Sequence, residues 1–351
     1  KMIIKDLNKI LFVVFCGFLV IGSSLFGQLE NDQNISKRGT TAAQFLKIST
    51  GGRGTSMGGA NVALCSDLTS SYWNPAGIAR LQGVQVYFEN YDWLAGTDYH
   101  FGAFGFSWSG IGVMSLSMTM LSTPDDLVRT VENPQGTGEK FNAQDLSIGL
   151  TFAKSLTDRL SLGASIKNVR QRIWHSSGQT VATDIGVQYK TPIRDVLLGA
   201  SISNFGNDLS LSGRDLNISV DPDPNNQGNV EFVNAEYQTD SYPLPLFFRV
   251  GIGGYLIKTK NISTLFAVDA VHPNDNFEYL NFGFEAGFND LVFVRTGYPS
   301  YGKEDSIEGP TFGAGLNYRV FRTATTLKIE YSAADFGPLG VIKRISLGYN
   351  F

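Results

Sequence analysis

The sequence predicts an all-β fold: a transmembrane, up-and-down antiparallel β-barrel of about fourteen strands, preceded by an N-terminal plug segment. Three observations predict it. Side chains alternate between apolar and small or polar in runs such as Leu146-Ser147-Ile148-Gly149-Leu150-Thr151-Phe152 and Ile345-Ser346-Leu347-Gly348-Tyr349-Asn350-Phe351. Successive strand side chains point to opposite faces, so each run has one greasy face and one polar face. The runs are mostly about 9 to 12 residues, the length a tilted strand needs to cross a bilayer, where a soluble strand averages about 5 to 6. The connections between runs also sort by parity, long then short. A barrel with both chain ends on one side of the membrane produces that pattern; a soluble sandwich does not.

The elements follow in order. Lys1, Lys5 and Lys9 precede an apolar run, Ile10 to Ile21, and a stretch rich in small residues, Gly22 to Gly27. That is the pattern of a secretory signal peptide, residues 1–27, and is too short to span a bilayer as a helix. Residues 28–82 are not strand-like. They carry Gly pairs at 51–52 and 58–59 and the turn Trp73-Asn74-Pro75-Ala76-Gly77. Asn-Pro starts a turn, and Gly77 is expected to supply a positive φ. This segment is short enough to sit within a barrel, and we read it as the plug. The barrel then occupies residues 83–351. Strands are expected at 84–92, 99–107, 111–120, 144–154, 160–171, 180–190, 194–204, 245–256, 262–271, 277–287, 291–298, 311–320, 324–334 and 342–351. The long connections are 93–98, 121–143, 172–179, 205–244, 272–276, 299–310 and 335–341, and they are expected outside the cell. The tight ones are expected in the periplasm, with both termini. Tyr87, Trp93, Tyr99, Trp108, Trp174, Tyr318, Tyr331 and Tyr349, near strand ends, are expected in the interfacial girdle.

Composition narrows the function. Charged residues are 17% of the chain and the net charge is −4, so no basic surface points to nucleic acid. Of the two cysteines, Cys16 lies in the leader, and Cys65 alone makes no internal disulfide. The histidines are His100, His175 and His272. His175-Ser176 shows no G-x-S-x-G elbow, so no catalytic residue is assigned. Asp221-Pro222-Asp223-Pro224-Asn225-Asn226 offers oxygen ligands but lacks the calcium-loop pattern, so no metal or cofactor is assigned. Lumenal charges such as Asp145, Lys167, Glu285, Lys328 and Glu330 are expected chiefly to fasten the plug to the wall.

Gly52-Arg53-Gly54, Met57-Gly58-Gly59-Ala60, Val62-Ala63-Leu64, Asp67 and Tyr72-Trp73-Asn74-Pro75-Ala76-Gly77-Ile78-Ala79 resemble the N-terminal signature of the PorV/PorQ family. That family is related to FadL-type transporters of hydrophobic compounds, which share an Asn-Pro-Ala element in their plug. The resemblance implies a fourteen-stranded barrel in the outer membrane of a Gram-negative bacterium. It further implies a part in type IX protein secretion. The implied partners are outer-membrane lipid, the secretion translocon, cargo C-terminal signal domains and attachment-complex subunits. Partner contacts are expected from the two longest outer loops, at Leu127, Val128, Leu209, Leu211, Phe232, Val233 and Tyr237, because exposed apolar loop surface marks a binding site. Trp73, Asn74, Pro75 and Gly77 are expected to shape the plug turn. The alternative is a FadL-like transporter of hydrophobic small molecules. It predicts a greasy pocket beneath the outer loops and a gap or kink in the wall.

Overall fold

A computed structural model describes residues 37–223, 225, 232–304, 306–320 and 325–351. The signal peptide expected at 1–27 lies outside the described residues, as do Pro224 and Asn226 of the acidic stretch. Among the described residues, fourteen long strands close into one antiparallel ring. They are β1 (Val84–Asp92), β2 (Asp98–Trp108), β3 (Gly112–Ser122), β4 (Ala143–Ser155), β5 (Leu160–Ile173), β6 (Ser176–Lys190), β7 (Leu197–Gly206), β8 (Phe247–Lys258), β9 (Ile262–Pro273), β10 (Tyr279–Phe288), β11 (Val292–Tyr301), β12 (Thr311–Arg319), β13 (Thr326–Asp335) and β14 (Val341–Asn350). Each pairs with its chain neighbours, and β14 returns to β1 with Val86 opposite Tyr349. Closure matters because hydrocarbon offers no partner to an unpaired N–H or C=O.

Alternation now has a direction. Val86, Phe88, Leu116, Ile148, Leu150 and Phe152 are exposed, whereas Gln85, Glu89, Ser115, Ser147 and Thr151 are buried. The molecule is therefore apolar outside and polar inside, the arrangement a lipid-facing barrel requires. Trp108, Tyr318 and Tyr331 are exposed on the outer face, whereas Tyr87 and Tyr99, expected in the girdle, are buried. Both share the lumenal face of their strands: the Tyr99 hydroxyl bonds Thr50 Oγ1 at 2.7 Å, and Tyr87 Oη accepts the Gly52 N–H at 3.3 Å. Trp93 also departs from the girdle and packs towards the interior against Phe336.

One end of the ring carries the three longest connections, 123–142, 207–246 and 302–310; other links at that end, such as 93–97 and 336–340, are no longer than 191–196 at the opposite end. The largest departure from the expected alternation is the link between β5 and β6, expected to be long at 172–179. It is a two-residue turn, Trp174-His175, with Ile173 opposite Ser176 and Trp174 in the left-handed region (φ 50°). Of the two longest loops, the first folds a small hairpin, pairing Asp126–Leu127 with Lys140–Phe141. The second pairs Asn217–Val220 with Val233–Glu236 and adds Ser212–Gly213 to the edge of β6.

Residues 38–82 lie inside the ring as a chain of short turns: Gln44–Lys47, Gly52–Ser56, Ser70–Trp73 and Pro75–Arg80. None extends because the glycines interrupt it: Gly51, Gly58 and Gly59 all have positive φ. The wall makes room with glycines of its own. A Cβ at Gly297 would fall 2.1 Å from Gly58 N, and one at Gly163 2.4 Å from the Pro75 carbonyl carbon. The apolar core is thus the seam between this segment and the wall, where Phe45, Leu68 and Ile78 cluster with Tyr87, Tyr99 and Phe101.

Candidate functional site: the lumenal cavity and its floor

The floor is built on the turn at Asn74. Its Oδ1 accepts the Ala76 N–H at 3.1 Å, an N-cap with Pro75 in the first position of the following turn. Its Nδ2 donates to the carbonyls of Val62 and of Val187 on β6, both at 3.0 Å, so one side chain ties two stretches of the segment to the wall. Trp73 is buried, with Nε1 donating to Thr50 O at 2.8 Å. Gly77 serves differently from expectation. Its φ is not positive; a Cβ there would lie 2.5 Å from Ser70 Oγ and 2.6 Å from Cys65 O, so close packing excludes a side chain. Cys65 is buried beneath this turn, and burial pushes its thiol up to about 12.

Carboxylates on the wall grip the segment at four places. Arg53 forms a fork on Glu285, Nε to Oε2 at 2.9 Å and Nη2 to Oε1 at 3.1 Å. Glu285 also takes Arg295 Nε at 2.6 Å, and Arg295 reaches Glu330 at 3.1 Å. Glu330 accepts the Arg53 backbone N–H at 3.2 Å. Glu89 accepts the Gly51 N–H at 2.7 Å, and Asp269 accepts those of Asn61 and Val62 at 2.7 and 2.8 Å. Near the start of the segment, Lys47, Thr41 and Gln44 all bond Asp275. Burial alone would raise the Asp275 carboxyl, but these partners outweigh it and hold the group below its ordinary range. Lys167 instead pairs with Asp184 at 2.9 Å, and Asp145 accepts from Gln171, both within the wall.

Between this floor and the long-loop end lies a cavity of about 370 Å³. Phe45, Ile48, Tyr72 and Trp73 face it from the segment; Trp93, Phe247, Tyr279 and Phe336 face it from the wall. Trp93 and Phe336 meet edge to face at 5.2 Å, from the connections after β1 and β13. Polar groups line it as well, from Gln44, Ser49, Asn281 and Thr311 among others, and four charged side chains face it: Lys47, Arg249, Glu308 and Asp335. An aromatic-lined chamber into which placed polar groups converge is the general form of a small-molecule site.

Beside this chamber the β11–β12 ladder is short. Pairing of β11 with β12 stops at Gly297 opposite Thr311, yet β11 runs on to Tyr301. Pro299 has no N–H to offer, and Ser300 (φ 54°) makes a bulge against β10, where the register shifts between Leu280 and Phe282. Ser300 N–H turns to Asn281 Oδ1 at 2.9 Å, and Gly309 N–H goes to Asp335 O at 2.9 Å. The two strands of this hairpin part where Pro299, Ser300 and Glu308 line the chamber.

The loop residues expected to meet a partner separate into two groups. Phe232, Val233 and Tyr237 are exposed, at 66%, 47% and 62%. Leu127, Val128 and Leu211 are half-buried. Leu209 is 3% exposed, bridged to Tyr242 and packed against Gly178, so it fastens its loop to the wall. His175 stacks on Trp174 at 4.2 Å and bonds Asp215 at 2.9 Å, joining the β5–β6 turn to the longest loop. Among the described residues, no group of three or more His, Cys, Asp or Glu is placed to hold a metal.

The closed fourteen-stranded barrel is a fold that this chain shares with solved channel and transporter structures. The chain is similar in structure to the CymD monoaromatic hydrocarbon channel (TM-score 0.53, 12% identity, covering 87% of this chain and 98% of that one). It is similar to the Ralstonia pickettii toluene transporter TbuX (TM-score 0.52, 14% identity, 86% and 97% covered). The P. putida toluene transporter TodX matches at a TM-score of 0.52 with 11% identity, over 86% of this chain and 99% of that one. No family model matches the chain, and no curated protein matches it by sequence. The resemblance to PorV/PorQ and to type IX secretion therefore gains no support from these comparisons.

Proposed function

We propose that the chain is an outer-membrane channel for hydrophobic small molecules, with its long loops outside the cell, both termini in the periplasm and residues 28–82 as the hatch. One observation carries this reading: the aromatic-lined cavity of about 370 Å³ between hatch and loops, set against the parted β11–β12 hairpin. The structural neighbours are named as hydrocarbon channels and toluene transporters, and we extend that substrate class to this chain. The test is toluene uptake into vesicles with and without the protein. Ala334→Trp, which fills the cavity from a buried position on β13, should remove most of the protein-dependent uptake. Uptake no greater than in protein-free vesicles would overturn the reading.

A second reading rests on the apolar hairpin that displays Phe232, Val233 and Tyr237. An exposed strand edge of this kind is suited to receive a β-rich protein partner, such as a cargo signal domain. The same assay separates the two roles: a variant lacking 214–241 should keep its toluene uptake and lose any captured cargo.

A further inference from the structure

We infer that the ligand held in the cavity is an aromatic monocarboxylate, and that Arg249 on β8 receives its carboxylate. This rests on the small-molecule channel reading and narrows its substrate class.

Three arginines of the wall are buried: Arg249, Arg295 and Arg344. Arg295 is paired with Glu285 and Glu330, and Arg344 with Glu89 at 3.7 Å and with Ser49 O at 2.7 Å. Arg249 is 4% exposed, and among the described residues no carboxylate pairs with it within 4 Å; Asp269 on the neighbouring β9 acts on it from farther off and already accepts the Asn61 and Val62 N–H groups. It donates one hydrogen bond to the wall, Nη1 to Ser203 Oγ at 3.2 Å. A guanidinium has five donors and does not lose its charge. A buried cation in a transmembrane wall is costly without an anion, and such residues mark the path of a substrate.

Its position specifies the rest of the ligand. Arg249 lines the 370 Å³ cavity and also a smaller one of about 30 Å³ beside it, with Phe45, Ile48 and Tyr72 shared between the two. Its guanidinium lies 4.3 Å from the Phe247 ring and 5.3 Å from that of Tyr72. These rings fix the plane of the fork and offer flat apolar faces beside it. Trp73, Trp93, Tyr279 and Phe336 continue the aromatic lining. The chamber is compact, so it suits a ring better than a long chain. Glu308, which takes the Ser300 hydroxyl, and Asp335 also face the chamber, so a second acid group on the ligand would meet like charge. The other cation at the site, Lys47, is already neutralised by Asp275.

The test is equilibrium binding of benzoate, benzyl alcohol, toluene and decanoate to the full chain in detergent, for wild type, Arg249→Met and Arg249→Lys. Wild type should bind benzoate more tightly than benzyl alcohol. Arg249→Met should weaken benzoate about tenfold or more and toluene far less, since charge-assisted hydrogen bonds to a carboxylate are among the strong ones. Arg249→Lys should restore much of the benzoate affinity. Equal benzoate binding by wild type and Arg249→Met overturns the inference, as does decanoate binding without benzoate binding. Toluene binding without benzoate binding overturns the inference and leaves the channel reading standing; binding of none of the four overturns both. Should Arg249→Met not fold, as judged by heat-modifiable electrophoretic migration, the comparison of benzoate with benzyl alcohol on wild type decides.

Discussion

Glu285→Ala should loosen the hatch more than any other single change in the lumen. Glu285 accepts from Arg53 of the hatch and Arg295 of the wall at once. Removing it leaves Arg53 buried without its fork. Breaking a buried ion pair from one side costs about 3 to 5 kcal/mol, because the surviving charge is stranded. Arg295 keeps Glu330, so the wall itself should hold. The expected result is a lowered thermal midpoint in detergent and an opened ionic conductance in planar bilayers, while the barrel still migrates as a folded species. Arg53→Met on the Glu285→Ala background should recover part of the loss, since replacing both partners removes the stranded charge. An unchanged midpoint and a silent bilayer would show that the pair does not hold the hatch.

Gly297→Ala tests the fit of hatch to wall by a different force. The added methyl would lie 2.1 Å from Gly58 N and 2.2 Å from the Met57 carbonyl carbon. Both are backbone atoms. They are held in place because Gly58 N–H bonds Thr311 Oγ1 and that hydroxyl donates to Ser56 O, each at 3.0 Å. No side chain can swing aside, so the hatch must shift or the β11–β12 pairing must yield. Overpacking of this kind costs about 1 to 3 kcal/mol. Gly102→Ala is the control: it sits on β2 with nothing within 4 Å of the new methyl and should melt with wild type. Equal melting of all three proteins would contradict the close approach.

The barrel was legible because its rule is local. Alternation in runs such as 146–152 dictates which side faces lipid, and the expected strands match the fourteen of the ring within a few residues. The rule fails where a residue's role depends on its partner. Tyr87 and Tyr99 look like girdle residues by type, but their parity aims them at Gly52 and Thr50 of the hatch. The turn at Trp174-His175 has neither Gly nor Asn to announce it, and its left-handed Trp is set by the pairing of β5 with β6. Glu285 and Glu330 could be read as hatch anchors from their lumenal positions. Arg249 could not be singled out, because the sequence does not say that Glu285 and Glu89 pair with Arg295 and Arg344 while Asp269, on the strand beside Arg249, is taken by the Asn61 and Val62 N–H groups. The break above Gly297 had one visible signal, Pro299 near the end of a strand run.

The most direct measurement is the reactivity of Cys65 in a Cys16→Ser protein folded in detergent. A lumen filled by the chain's own hatch leaves this thiol 2% exposed, hydrogen-bonded towards Val62 O and Asn74 O, and protonated at neutral pH. A small maleimide should leave it unlabelled in the folded protein and label it at once after denaturation. Labelling of the folded protein at the denatured rate would mean that the hatch does not occupy the barrel.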